Sequence, residues 1–578
     1  MHRSFFIVGP LVLIASFTLP IQAQDAPDPD AASSEMRPVI QRYTSDLRDI
    51  ERTYPIRISD TRQARLRRFF DEQQAALVQI DFDKLSQDGR IDYLLLRNHI
   101  ERQRSESART VRETAEIALL IPFYPTIVTL EENRRKMLPL DATKAGETLA
   151  GLAKAIDEAR ALNAGAKVKP AVANRAAARL GELHSNLRQW HTFYNGYDPL
   201  FTWWADDPYK KVDQALDSYT RFLREQLAGI SSGGREPVIG DPAGRQALVD
   251  DLAYNMIPYT PEELLTLAHK EYAWCEREMI KASRELKYGD DWRKALEYVK
   301  TKYVEPGKQP ELVRQLAEEA IDYVTQRDLV TVPPLAREDW WEEMLSPQRQ
   351  ATAPFFLGGD LILVAFPTNT MTQEQKLMSM RGNNIYFARS TVFHELIPGH
   401  HLQGFMTERY RAYRSVFQTP FWTEGNAFYW EMLLWDMGFA KTPEDRIGML
   451  FWHMHRAARI IFSISFHLEK MTAQECVDFL VDQVGFEREN AEAEVRRSFD
   501  GSYEPIYQCA YMLGALQFHE LHKEMVDSGK MTNRAFHDAI LKDGRIPVEL
   551  IRADFTGQKL TRDFQSGWRF YDLAAAPN

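Results

Sequence analysis

The stretch STVFHELIPGHHLQGFM, residues 390–406, sets three histidines and a glutamate in an apolar, helix-forming run and puts Pro398 and Gly399 among them. Imidazole nitrogen and carboxylate oxygen are ligands that a zinc ion takes. The zinc-peptidase pattern His-Glu-x-x-His places two imidazoles four residues apart on one helix face, with the glutamate beside them. Here the position four after His394 is Pro398, and the next histidines are His400 and His401. On an unbroken helix His400 would point roughly 120° away from His394 and lie about 9 Å along the axis; His401 would face the right way but lie about 10.5 Å along it. Neither pair suits one zinc, whose bonds to imidazole nitrogen are about 2.0–2.1 Å long.

Pro398 lacks the N–H that a helix interior uses and clashes with the carbonyl one turn back, so the helix must kink or bulge there. If Pro398 and Gly399 are looped out, His400 takes the place of the second histidine. His400 is then the preferred second ligand and His401 the fallback. Glu395, next to His394, is placed to take a proton from an attacking water and hand it to a leaving amine. The competing reading, a histidine-rich helix end favoured by the helix dipole, leaves this glutamate unexplained.

A third ligand must come from elsewhere. In TPFWTEGNAFYWEMLLW, residues 419–435, Glu424 and Glu431 lie seven apart and share one face of an apolar helix. A carboxylate buried there needs a metal, an arginine or an imidazole to compensate it. Glu424 is assigned to zinc and Glu431 to a hydrogen bond that orients a ligand histidine; two glutamates on a solvent edge are the alternative. Residues 453–467 add Arg456, Arg459 and His467, and residues 501–521 add Tyr503, Tyr507 and Tyr511. Tyr511 or His467 is expected to steady an oxyanion.

The elements that must hold these groups are mostly helical. Thr260, Thr442 and Thr472 each precede an acid by three residues at the head of an apolar-periodic run, the signature of a capped helix start. Two apolar runs, 361–366 and 383–389, are the clearest strand candidates. The expected fold class is therefore mainly α, a large helical body with a short β-sheet beside the site helix. Residues 231–245, rich in glycine, proline and serine, form the best break. They separate an N-terminal helical region, 24–230, from a catalytic region, 246–578, and both regions are compatible with one body.

Residues 1–23 have a basic start, an apolar run broken by Pro10 and Pro20, and a small-residue end. They read as a secretory signal peptide, so the chain is expected to be exported, periplasmic or secreted, with no membrane span in the mature part. No cysteine follows the leader, which disfavours a lipid anchor. Cys275, Cys476 and Cys509 allow at most one disulfide and read as buried apolar residues. The net charge of −11 becomes −12 without the leader, and no basic stripe is present. Nucleic acid is disfavoured as a partner.

NNIYFARSTVFHELIPGHHLQ, followed by TEGNAFYWE, RIIFSISFH and PIYQCAYMLG, resembles the bacterial family DUF885, whose hallmarks are His-Glu-x-x-Pro-Gly-His-His and a downstream Glu-Gly-x-Ala. The resemblance spans roughly residues 40–570. It implies a mostly helical zinc-dependent peptidase body, similar to gluzincins of the angiotensin-converting-enzyme and oligopeptidase type. Position by position it points to His394, Glu395, His400 or His401, Glu424 and Tyr511. Three positions depart from the family pattern: Ser463 in place of aspartate, Tyr507 in place of glutamine and Asn426 in place of tryptophan. They leave the metal ligands intact and fall on substrate contacts. The resulting expectation is a peptide-hydrolysing metalloenzyme with one Zn²⁺ per chain and a peptide as its partner. A catalytically silent metal- and peptide-binding protein and a zinc amidohydrolase acting on non-peptide amides are the alternatives.

Overall fold

Thr260, Thr442 and Thr472 each open a helix through a reciprocal capping box, in which the threonine hydroxyl accepts the third helical N–H and the acid there accepts the threonine N–H. The computed structural model describes residues 34–230, 237–350, 355, 358–359, 361–501 and 503–574. The expected leader, 1–23, and the first part of the proposed break, 231–236, lie outside them. Residues 34–578 make up one compact unit.

The fold is mainly α. Its largest apolar core joins residues from both sides of the 231–245 segment: Ile40, Phe69 and Leu95 share it with Phe421, Tyr429 and Phe518. A second core lies within the N-terminal half, where helices Ala142–Leu162, Pro170–Tyr194 and Pro199–Phe222 bury Leu149, Leu180, Trp190 and Phe201. The described part of the break is itself packed. A Cβ on Gly240 would meet the Phe466 ring at 2.6 Å. The three cysteines are free and buried. No helix among the described residues is long and apolar enough to cross a membrane.

Helix Pro443–His467 is the spine of the site region. Every residue from Ile447 to His467 is buried, so its polar members must find partners inside the protein. It packs along Pro261–Glu285 on one side and against Ile385–Glu395 on another. Helices Pro420–Asp436 and Tyr507–His522 approach to backbone contact at Gly425 and Gly514. A Cβ on Gly514 would sit 1.9 Å from the Phe421 carbonyl oxygen, and one on Gly425 would sit 2.4 Å from the Gly514 Cα. Only glycine permits this approach, and it brings Glu424 to the tyrosines of the partner helix.

Two three-residue strands, Glu342–Met344 and Ile362–Val364, pair in parallel. Ile362 and Val364 pack on Ala388, Val392 and Leu396 of the site helix, so the short sheet does lie beside it. The expected strand at 383–389 is instead the start of helix Ile385–Glu395. Its Ile, Tyr and Phe favour strands, but the Asn384 side chain accepts the Tyr386 and Phe387 N–H groups at 3.1 Å each and caps a helix.

Candidate metal centre

The proline and glycine do more than bulge a helix. Helix Ile385–Glu395 stops, and a second helix, His400–Thr407, begins directly after Gly399. The Ile397–Pro398 peptide is cis. The break between them is tight: the His401 and Leu402 N–H groups both donate to the Leu396 carbonyl, at 3.1 and 3.3 Å. Gly399 passes so close to the end of the first helix that a Cβ would lie 1.8 Å from the His394 carbonyl oxygen.

This turn sets the rings of His394 and His400 4.8 Å apart and nearly perpendicular. Glu424, from helix Pro420–Asp436, completes the group. Its Oε2 lies 3.4 Å from His394 Nε2 and 3.3 Å from His400 Nε2. Among the described residues these three offer ligand atoms all within 4.8 Å of one another. Two ligands each about 2.0–2.1 Å from one tetrahedral ion stand about 3.3–3.4 Å apart. Charge-assisted hydrogen bonds between nitrogen and carboxylate are shorter, about 2.7–2.9 Å. Donor types and spacing thus fit a shared zinc-sized cation better than a direct ion pair.

The far side of each ring is held as well. His394 Nδ1 lies 3.0 Å from Glu431 Oε1, and Glu431 also accepts from Arg456 Nη2 at 3.0 Å and Ser390 Oγ at 2.7 Å. His400 Nδ1 lies 3.1 Å from Gln403 Oε1, and Gln403 Nε2 donates to the Thr423 carbonyl and to Asn426 Oδ1, both at 3.1 Å. Each Nδ1 thus faces an acceptor, which leaves Nε2 for the centre. Burial disfavours a charged His400, but Glu424 and Glu395 outweigh burial and hold it up at about 9. Glu424 is likewise held well below the carboxylate range, against its burial, by His400 and His394. The centre stabilises positive charge where the three groups meet.

Glu395 stands at the same spot, its Oε2 4.0 Å from His400 Nε2 and accepting the Gly358 N–H at 2.6 Å. The Tyr507 hydroxyl donates to Glu424 Oε1. Tyr511 stacks on His394 with ring centroids 6.0 Å apart. Burial and Glu424 push its phenol well above the usual value, so it stays a donor at neutral pH. All these groups open on one cavity of about 590 Å³, whose wall includes Arg456, Arg459 and Arg497. A second cavity of about 600 Å³ shares Thr423, Tyr503, Tyr507 and Arg545 with it, so the two adjoin.

Two candidates lie elsewhere. His401 turns away from the group, with Nε2 2.8 Å from the Ala336 carbonyl and Nδ1 3.2 Å from that of Gly359. His467 sits at the end of the spine helix against Phe466 and Phe499, where its Nδ1 accepts the Ala243 N–H at 3.3 Å. It holds the 237–245 segment and does not line the cavity. Sequence reasoning missed Gln403, Ser390, the Gly358 amide and Arg497. Gln403 had a signal, since it lies one helical turn after His400; the Gly358 amide had none. The three departures all take structural work: Tyr507 on Glu424, Asn426 on Gln403, and Ser463 Oγ on the Pro505 carbonyl at 3.2 Å.

The model of the family "Bacterial protein of unknown function (DUF885)" matches residues 46–554. The chain belongs to DUF885. Two solved structures resemble this DUF885 protein over nearly its whole described length. A "putative lipoprotein of unknown function" from Shewanella oneidensis has 19% identity and a TM-score of 0.66, covering 89% of this chain and 98% of that one. A "putative lipoprotein" from Colwellia psychrerythraea has 15% identity and a TM-score of 0.56, covering 90% and 98%. At such identities the likeness is one of fold. No curated protein matches the DUF885 chain.

Proposed function

We propose that this DUF885 protein is an exported zinc-dependent peptidase. The observation that carries the reading is the placement of Glu424 Oε2 at 3.4 and 3.3 Å from two imidazole nitrogens whose opposite sides are both pinned. His394, His400 and Glu424 would hold the ion. When bound, zinc supplies Lewis acidity and lowers the pKa of water. Glu395 accepts the proton of the attacking water and returns it to the leaving amine, steadied by the Gly358 N–H. Tyr511 donates from the cavity wall to the oxygen on which negative charge develops. The cavity at the centre and the one adjoining it offer room for a peptide. A site that only binds has no use for Glu395, which favours hydrolysis over silent binding. Export is supported by the leader-like residues 1–23 and by the description of both similar structures as lipoproteins.

The test is metal content together with hydrolysis of a mixed peptide library, comparing the wild type with Glu395→Gln. One zinc in both proteins with cleavage by the wild type alone supports the reading. Zinc in both and cleavage by neither would leave the silent binder or the amidohydrolase. Absence of metal would overturn the centre itself.

A further inference from the structure

The cavity wall next to the proposed centre holds more positive charge than its own carboxylates neutralise. Glu494 is completely buried and faces two guanidinium groups: it accepts from Arg459 Nε at 2.7 Å and pairs with Arg497 Nη2 at 2.6 Å. Its other neighbours are Gln508 Nε2 at 3.1 Å and His455 Nε2 at 3.5 Å. His455 is kept neutral by burial, with Arg459 adding to the effect. Arg456 has its own partner, Glu431. Three guanidinium groups, all at most 12% exposed, thus share two carboxylates. Of the other charged side chains of the wall, Glu395 and Glu424 belong to the centre and would be balanced by a divalent cation, Glu408 and Arg349 are exposed, and Arg545 is half-buried. One buried positive charge remains without a counter-ion, which is unfavourable unless a ligand supplies one.

The fork of Arg459 is the group left free. Only its Nε is used on Glu494, and among the described residues its two Nη nitrogens make no hydrogen bond. Its guanidinium carbon lies 4.0 Å from the centre of the Tyr511 ring, which fixes its direction against the cavity wall. Arg497 lies beside it, over the Tyr503 ring at 5.5 Å. A planar fork with two free donors next to a second guanidinium is suited to a carboxylate.

We propose that Arg459 and Arg497 form a subsite for a substrate carboxylate. With the Tyr511 ring 4.0 Å from the Arg459 guanidinium carbon and 6.0 Å from the His394 ring, guanidinium and His394 are no more than 10 Å apart. An extended residue spans about 3.3–3.6 Å. The carboxylate therefore belongs to the first or second residue from the scissile bond, either as the free C-terminus of a short peptide or as an aspartate or glutamate side chain. The inference rests on the peptidase reading and adds its substrate class.

The experiment uses zinc-loaded full-length protein and three peptides of one sequence: a neutral peptide with a free C-terminal acid, its C-terminal amide, and the amide with aspartate as the last residue. Cleavage efficiency is measured with the wild type, and binding by calorimetry with Glu395→Gln. The free acid, the aspartyl amide or both are expected to exceed the neutral amide by about 10-fold or more in both measurements. Preference for the free acid alone identifies the C-terminus, preference for the aspartyl amide alone identifies a side chain, and equal preference for both shows that either carboxylate is taken. In Arg459→Gln, which leaves Arg497 on Glu494, the acid-to-amide ratio should fall toward one, and Arg459→Lys should restore part of it. Free acid and aspartyl amide both handled within twofold of the neutral amide by the wild type would overturn the subsite while leaving the peptidase intact. Absence of cleavage would sink the peptidase reading, and the binding comparison would still decide the subsite, with equal or no binding counting against it.

Discussion

His394 Nδ1 and Glu431 Oε1 lie 3.0 Å apart, and the same imidazole presents Nε2 to Glu424, two turns earlier on the Glu431 helix. One helix thus grips both nitrogens of a ring carried by another, with one glutamate fixing its orientation and the other sharing its ligand face. Arg456 and Ser390 hold Glu431 in that role, and against its burial Arg456, His394 and Ser390 keep its carboxyl below the usual range. Replacing Glu431 by Gln should weaken zinc binding by about 10- to 100-fold with the fold retained. Competition with a chromophoric chelator measures this, and unchanged affinity would show that the contact does not orient the ligand.

The three groups proposed as ligands converge on one point from separate helices, so a bound ion should stabilise the folded chain. Added zinc is expected to raise the thermal unfolding midpoint, with about 2.7 kcal/mol of stabilisation at a free concentration 100 times the dissociation constant. Glu424→Gln should lose most of that shift. A midpoint insensitive to zinc and to chelator in the wild type would argue against a resident ion.

Gly399 has no room for a side chain, since a Cβ would overlap the His394 carbonyl oxygen at 1.8 Å. Gly399→Ala should therefore destabilise the protein by several kcal/mol or displace the second helix, carrying His400 away from Glu424. Denaturant unfolding and zinc stoichiometry together report this. An alanine variant with wild-type stability and one bound zinc would show that the turn tolerates what its geometry forbids.

His99 packs edge-on between the rings of Tyr43 and Phe417, and burial, aided by Arg102, lowers its pKa to about 4. Unfolding returns it to about 6.5. Because the folded value is the lower one, the neutral ring's contribution is complete above about pH 6.5 and is lost as pH falls toward 4. Equilibrium unfolding of wild type and His99→Phe should show a stability difference that is constant above pH 7. Below it the difference should move steadily in favour of the variant. A difference independent of pH down to 4.5 would mean that His99 takes up its proton while folded.

Much of this architecture was legible because its causes are local. A threonine with an acid three residues on is a capped helix start wherever it stands, and the three such sites at 260, 442 and 472 all open helices. The interruption at Pro398-Gly399 and the seven-residue spacing of Glu424 and Glu431 are also local, and each places side chains without knowledge of the rest of the chain. The segment 383–389 reads as a strand for a local reason too: its isoleucine and aromatic residues favour one, but the Asn384 cap before them starts a helix.

The sequence by itself determined the kinds of side chain at the candidate centre, the break between its histidines and the mainly helical framework, because composition, caps and periodicity act over a few residues. Only the tertiary structure decided that His400 stands with His394 and Glu424 while His401 turns to backbone carbonyls, and that His467 lies outside the cavity. It also decided that Gly425 and Gly514 press two helices together and that Arg459 and Arg497 share one carboxylate. Those outcomes depend on the direction of the chain after a turn and on which helix faces meet. They follow from close packing among segments far apart in the chain, where spacing along the sequence carries no information about distance in space.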